Sequence, residues 1–522
     1  MKRVITIYDT TLRDGTQREG LSLSVEDKVR IAMKLDLLGV HYIEGGFPGS
    51  NPKDIEFFER ARTLKLENAV ISAFGSTRHK DATAEDDAGL AALLATGCSA
   101  LCIFGKAWDV HVTETLQTTL ERNVEMVGDS VAHLVAAGRT VFFDAEHFFD
   151  GYKAKPDYAL EVCRAAAEAG ASAVILCDTN GGTLPHEVSR IVAEVSAALP
   201  GVALGMHAHN DTGCAVANSL VAVDAGCVQV QGTMNGYGER AGNADLTSII
   251  PGLELKMGRE AIGRERMKLL TEVSYFIAET ANISPNPHQP YVGASAFAHK
   301  GGVHASAVVR LPEAYEHAEP SAVGNLARVV VSELAGRASL TLKAQEMGIE
   351  LAGETAAEVL DSIKELEYHG YSFEAADGSL ELMLKKRIGT YEPLFRLESF
   401  RVIAEKREDG RVMTEATIKV HVQGHRYIAT AEGNGPVNAL DKALRIAIMR
   451  FYPALETMQL QDFKVRVLDE KKGTGAVTRV LIEMADAEHS WGTVGVSENI
   501  IEASWEALVD AVEYGLTHRS HD

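Results

Sequence analysis

Two histidines and an aspartate define the chemistry this sequence could do. The stretch GMHAHND (205–211) places His207 and His209 two residues apart. On a strand, residues i and i+2 face the same side, so both imidazoles point one way. A carboxylate added to such a pair, with positions left open for substrate and water, suits a divalent ion such as Mn, Zn, Mg or Co. Asp14, in DTTLRDG (9–15), is the candidate carboxylate. A bare H-x-H is more often a hydrogen-bonded strand end, so the metal reading depends on a fold that brings Asp14 near.

Other polar residues end apolar runs. They are Glu44, Asp144, Glu146, His147, Asp178, Thr179 and Asn180, followed by Asn235, Glu239, Arg240 and Asn243. Arg13 has two competing roles: stabilising an enolate or carbonyl oxygen, or forming a salt bridge across the site to Glu44. Glu239 with Arg240 reads as a structural pair, and Asp178 as a strand-end cap. FAHKGGVHASAV (297–308) carries His299 and His304 around a double glycine. It is either a Gly-rich turn with surface histidines or a lid bringing an acid or base over a site, including one on another subunit.

The elements that must position these residues show a repeat. Eight short apolar, β-branched runs, from VITIYDT (4–10) to VQVQGT (228–233), alternate with segments of helical periodicity such as VEDKVRIAMKLDLLG. Eight βα units over about 250 residues predict a closed (β/α)8 TIM barrel, an α/β fold whose site lies at the C-terminal strand ends. An open doubly wound sheet is the alternative, but DTTLRDG is no Gly-rich dinucleotide turn. Side chains at one level of a barrel come from alternate strands. Strands 1, 5 and 7 can therefore bring Asp14, Glu146 and the histidine pair into one neighbourhood.

The barrel is expected over 1–281. NISPNPHQPYVG (282–293) opens a linker and lid region with helical subdomains, expected over 282–395. From 396 to 522 two similar halves of strands then helix form an α+β domain with an internal duplication. Such a module more often binds a regulator or a twin than does chemistry.

Composition bounds the partners. The net charge of −22 argues against nucleic acid or an anionic membrane, and an anionic small substrate would need local arginines. The 6 cysteines form no C-x-x-C pair and read as reduced, mostly buried residues of a cytoplasmic protein. No signal peptide or membrane span is expected. Phosphate-loop, nucleophile-elbow and H-E-x-x-H motifs are missing.

IYDTTLRDGTQREG (7–20), IEGGFP (43–48), HAHND (207–211) and NGYGERAGNADL (235–246) together resemble the acyl-CoA-condensing branch of the DRE-TIM metallolyases. That branch includes the isopropylmalate, homocitrate and citramalate synthases. FAHKGGVHASAV and YEHAEPSAVGN (315–325) resemble its lid, and EGNGPVNALDKAL (432–444) resembles its leucine- or isoleucine-responsive dimer domain. Within the branch, GTQREGLSLSVEDK, GGFPGSNPKD and DAEHFFDGYK are most similar to the citramalate-forming group.

The resemblance implies an acyltransferase that condenses acetyl-CoA with pyruvate on a route to isoleucine, or with 2-oxoisovalerate as the alternative. It implies a divalent metal on Asp14, His207 and His209, with Asn243 near or on it. Arg13, Thr179 and Glu44 would bind the 2-oxo acid, Arg13 also serving catalysis. Glu146 and His304, with Tyr315 nearby, would serve the proton transfers, the first-step base being either Glu146 or His304. A homodimer with isoleucine or leucine as feedback effector is implied too. A metal aldolase or lyase, and a sensor that has lost catalysis, are the rival readings.

Overall fold

The computed structural model describes residues 4–49, 51–299, 311, 315–329, 337–351, 353–468, 476–487 and 489–519. The chain divides into two compact units, one of residues 1–297 with 317–327 and one of residues 298–316 with 328–522.

In the first unit eight parallel strands close into a barrel in chain order. They are β1 Thr6–Asp9, β2 Tyr42–Glu44, β3 Val70–Ser76, β4 Ala100–Lys106, β5 Thr140–Glu146, β6 Ala173–Asp178, β7 Leu204–Ala208 and β8 Gln229–Gly232. Closure is made by β8 pairing with β1, from Thr6 opposite Gln229 to Asp9 opposite Gly232. Strands covered on both faces need apolar residues throughout, and AVILCD of β6 is buried at every position. Tyr8, Phe142 and Ile175 belong to a small cluster of core side chains separate from the large one that packs strands against helices.

The intervening helices follow from local signals. Val25–Leu38 starts at a Ser24 and Asp27 capping box and ends at Gly39 with φ 89°, a left-handed stop that glycine adopts without strain. β1 ends at Asp9, where the chain turns. Its carboxylate accepts hydrogen bonds from Thr11 N and Thr11 Oγ1, both at 2.9 Å. Arg13 and Asp14 therefore sit beyond a turn, not on the strand. The proline-rich segment expected to begin a linker at 282 packs with the barrel unit as far as Phe297. There Asn325 Nδ2 donates to the carbonyls of Tyr291 and Gly293, both at 2.9 Å.

In the second unit the duplication is explicit. Phe395–Lys406, Val412–Val422 and His425–Gly433 form an antiparallel sheet followed by the helix Pro436–Ile448. Gln459–Val467, Thr478–Ala485 and Ser490–Ser497 repeat it, followed by Ile500–Arg519. Central strands alternate, as with buried Ala416, Ile418 and Val420. The first strand of each repeat escapes a reading by alternation because its residues are mostly exposed. The helix Asp377–Ile388, read by sequence as linker, lies against Ile500–Arg519, where Ser379 Oγ donates to Asp510 at 2.7 Å.

Candidate active site

The C-terminal strand ends enclose a cavity of about 280 Å³ in the first unit. Arg13, Asp14, Glu146, Thr179, His207 and His209 all line it, with Asp144, Glu239, Gln17 and Cys177. Phe47, Phe74 and Phe104 supply its aromatic wall.

Three donors converge at its base. His207 Nε2 is 3.3 Å from Asp14 Oδ2 and 3.4 Å from His209 Nε2, and His209 Nε2 is 3.9 Å from Asp14 Oδ2. All three residues are buried, and their ligand atoms lie within 4.8 Å of one another. Burial alone would raise the Asp14 carboxyl, but Arg13 and His207 hold it well below the usual carboxylate range. Burial pushes His209 down to about 3, so its ring is neutral and able to donate a lone pair. Burial also opposes a charged His207, but Asp14 outweighs it and raises that ring.

The residues fit a divalent ion on a further count. Asn243 is placed beside His209 by a backbone bridge, and its buried Oδ1 has no hydrogen-bond partner. The loop leaves no slack there: at Gly238, with φ 156°, a Cβ would come within 2.2 Å of Asn243 Nδ2. A carboxylate, two imidazoles and a nearby amide oxygen form a donor set for a metal of intermediate hardness.

Arg13 realises the salt-bridge reading while still facing the cavity. Its Nε donates to Glu44 Oε2 at 2.6 Å, an Nη lies 3.4 Å from Asp14, and its guanidinium carbon sits 3.8 Å above the Phe74 ring. Glu44 is fully buried and does not line the cavity. Its other oxygen accepts from the Tyr8 hydroxyl at 2.9 Å. Both Glu44 oxygens are thus taken by Arg13 and Tyr8, and Glu44 lies behind Arg13.

Thr179 Oγ1 accepts the His147 N–H at 2.9 Å. His147 holds a left-handed backbone at φ 56°. Glu146 is ion-paired with Lys106. Arg240 braces the loop, with Nε donating to Asp211 at 2.9 Å and an Nη to the Thr179 carbonyl at 2.7 Å, besides pairing with Glu239. Asp178 accepts from Thr183 N and Oγ1, a cap as expected.

His304 lies outside the described residues. Tyr315 belongs to the second unit and is 44% exposed. His299 sits 3.7 Å from Glu316 in that unit.

Gln231 and Lys106 were not singled out by sequence. Lys106 ends an otherwise apolar strand. Gln231 stands in VQVQG, where the period-2 glutamines of β8 were the available signal.

A parallel eight-stranded barrel whose mouth gathers two histidines and a carboxylate defines a barrel enzyme with a metal-type centre. The HMGL-like family model matches residues 4–273, the model of the homocitrate synthase post-HMGL domain-like family residues 291–370, and that of the LeuA allosteric (dimerisation) domain residues 374–516. The (R)-citramalate synthase of Geobacter sulfurreducens is 54% identical, the alignment covering 99% of this chain and 98% of the relative. That of Streptomyces coelicolor is 52% identical, covering 98% and 96%. A probable 2-isopropylmalate synthase of Methanopyrus kandleri is 35% identical, covering 97% of each. The chain belongs to the (R)-citramalate synthase family of HMGL-like proteins with a C-terminal LeuA domain.

Proposed function

We propose that this chain condenses the acetyl group of acetyl-CoA with pyruvate, releasing (R)-citramalate and CoA. The observation that carries the proposal is the convergence of Asp14, His207 and His209 with Arg13, Thr179 and Glu146 on one cavity. It is supported by identity of about half, over nearly the whole chain, to (R)-citramalate synthases.

Asp14, His207 and His209, with Asn243 beside them, would hold a divalent ion, which would supply Lewis-acid polarisation of the keto group. The protein's own groups do the rest. Thr179, with a lone pair of its hydroxyl occupied by His147 N–H, turns its proton to the pyruvate carboxylate. Either Glu146 or His304 removes a proton from the acetyl methyl, a contribution of about 10²–10⁴-fold. The enolate carbon attacks the keto carbon, and Arg13 donates to the oxygen that gains charge. Water then cleaves the thioester and frees the CoA thiol. His304 shares the proton transfers with Glu146, in this reading from a partner copy.

The cavity's size and its Phe47, Phe74 and Phe104 wall suit a 2-oxo acid with a small apolar end. A neighbouring pocket of about 470 Å³ shares Phe104 and reaches Lys106, the partner of Glu146. His79, Lys80 and Asp87 also line it, and Arg78 beside them is committed to Asp129 at 2.6 Å. We assign the LeuA domain a homodimer contact and an isoleucine or leucine effector site.

Thiol release from acetyl-CoA, measured across pyruvate, 2-oxobutyrate, 2-oxoisovalerate and 2-oxoglutarate, tests the proposal. The highest kcat/KM is expected with pyruvate, with loss of activity on chelation and in His209→Ala. Preference for 2-oxoisovalerate would reassign the substrate, and no release with any 2-oxo acid would reject the reaction.

A further inference from the structure

Gln231 joins three strands under the donor cluster. It is fully buried on β8, and its amide touches β7 on one side and β5 on the other. His207 Nδ1 lies 2.8 Å from Gln231 Oε1, and Gln231 Nε2 donates to Asp144 Oδ1 at 2.9 Å. The same Asp144 oxygen accepts from the Cys102 thiol at 3.2 Å. His207 and Asp144 are themselves nearly fully buried, so no solvent competes for these bonds.

An amide has a direction. Asp144 as the acceptor claims the Gln231 NH2 and leaves only the carbonyl oxygen for His207. An oxygen facing Nδ1 demands a proton on Nδ1, which leaves Nε2 as the nitrogen that can offer a lone pair to a cation. Nε2 is the atom that faces Asp14 and His209. The other histidine is held differently: His209 Nδ1 is buried without a hydrogen-bond partner. His207 is thus the one imidazole of the pair whose ring nitrogen on the far side is anchored.

We propose that Gln231, oriented by Asp144, is a positioning residue that sets the His207 tautomer and thereby the affinity of the cluster for a divalent cation. This rests on reading Asp14, His207 and His209 as a cation site. It concerns binding of the ion, not the condensation, so it is measured without pyruvate or acetyl-CoA.

The full chain, stripped with chelator, is titrated with Co²⁺, following the visible d–d bands and competition with a chromophoric chelator. Thermal unfolding of each metal-free variant is recorded alongside. Gln231→Leu fills the same space but offers no acceptor. It should weaken Co²⁺ binding by about 10–100-fold, the usual effect of losing a partner behind a histidine ligand. Gln231→Glu keeps an acceptor for Nδ1–H and should hold affinity within about threefold of the parent or tighter, since a carboxylate raises ligand basicity.

A space-filling role predicts the opposite order. Gln231→Leu would then be silent, and Gln231→Glu, placing a second acid beside Asp144, would be the weaker binder. That order, or equal affinities in the two variants, overturns the proposal. If Gln231→Leu does not fold, Gln231→Glu decides alone, and a loss of affinity greater than about tenfold overturns it.

Discussion

The guanidinium of Arg13 is fixed by Glu44 at 2.6 Å along one edge and by the Phe74 ring at 3.8 Å on one face. Burial alone would lower its pKa, but Glu44 and Asp14 outweigh that and keep it charged. A planar fork held this way can aim its remaining N–H groups into the cavity without reorganising. Lysine keeps the charge but has neither the fork nor the stacking plane. Arg13→Lys should therefore cut kcat for thiol release by about 10²–10³-fold and also lower thermal stability, because buried Glu44 loses its forked donor and Phe74 its stacking plane. Steady-state kinetics with pyruvate, paired with a melting curve, checks both halves.

At the scale of elements, the loop after β2 shows how closely backbone and helix must approach. Gly46 has φ 151°, and a Cβ there would lie 2.3 Å from Asp54 Cγ. Asp54 also holds Lys28 at 2.5 Å and accepts Phe47 N–H at 2.9 Å, so it cannot move aside freely. Gly46→Ala should cost about 2–4 kcal/mol in a urea unfolding experiment and displace the Phe47 wall of the cavity.

The helix Ile500–Arg519 carries a pH-dependent element. Burial pushes Glu513 up to about 6 from its ordinary 4.5, only partly offset by the hydrogen bond from Tyr391. A carboxyl whose folded pKa is raised binds its proton more tightly in the native state. Its cost is therefore absent below about pH 4.5, grows between 4.5 and 6, and is complete above. Glu513→Gln should stabilise this unit by about 2 kcal/mol at pH 8 and not at all at pH 4. Hydrogen exchange of the Ile500–Arg519 amides at the two pH values measures it.

For the whole molecule, the LeuA allosteric (dimerisation) domain model matches residues 374–516 of a chain whose residues 4–273 match the HMGL-like model. Light scattering should return twice the chain mass. Isoleucine should raise the melting temperature and lower the rate of thiol release, with leucine as the comparison. A monomer at working concentration, or an unmoved melting curve with both amino acids, would remove the regulatory assignment. No helix among the described residues is long and apolar enough to cross a membrane.

Period and residue type alone established the eight βα units, the shared face of His207 and His209, and the strand–helix duplication at the C-terminus. These are local properties, written in spacings of 2 and 3.6 residues. Barrel layering pointed from there to Asp14, although Asp14 reaches the histidines from the loop after β1 and not from a strand position. Tertiary structure alone decided which partner each polar group meets. It set Glu44 behind Arg13 instead of on the cavity, put Gln231 under His207, and packed residues 282–297 with the barrel. It also supplied the exposed first strand of each C-terminal repeat, which had no alternation to betray it. The physical reason is common to all four. A hydrogen bond between residues 24 or 31 positions apart, or an outer strand paired on one side, leaves no periodic mark in the chain. It exists only once closure of the barrel, or of the sheet, has chosen the neighbour.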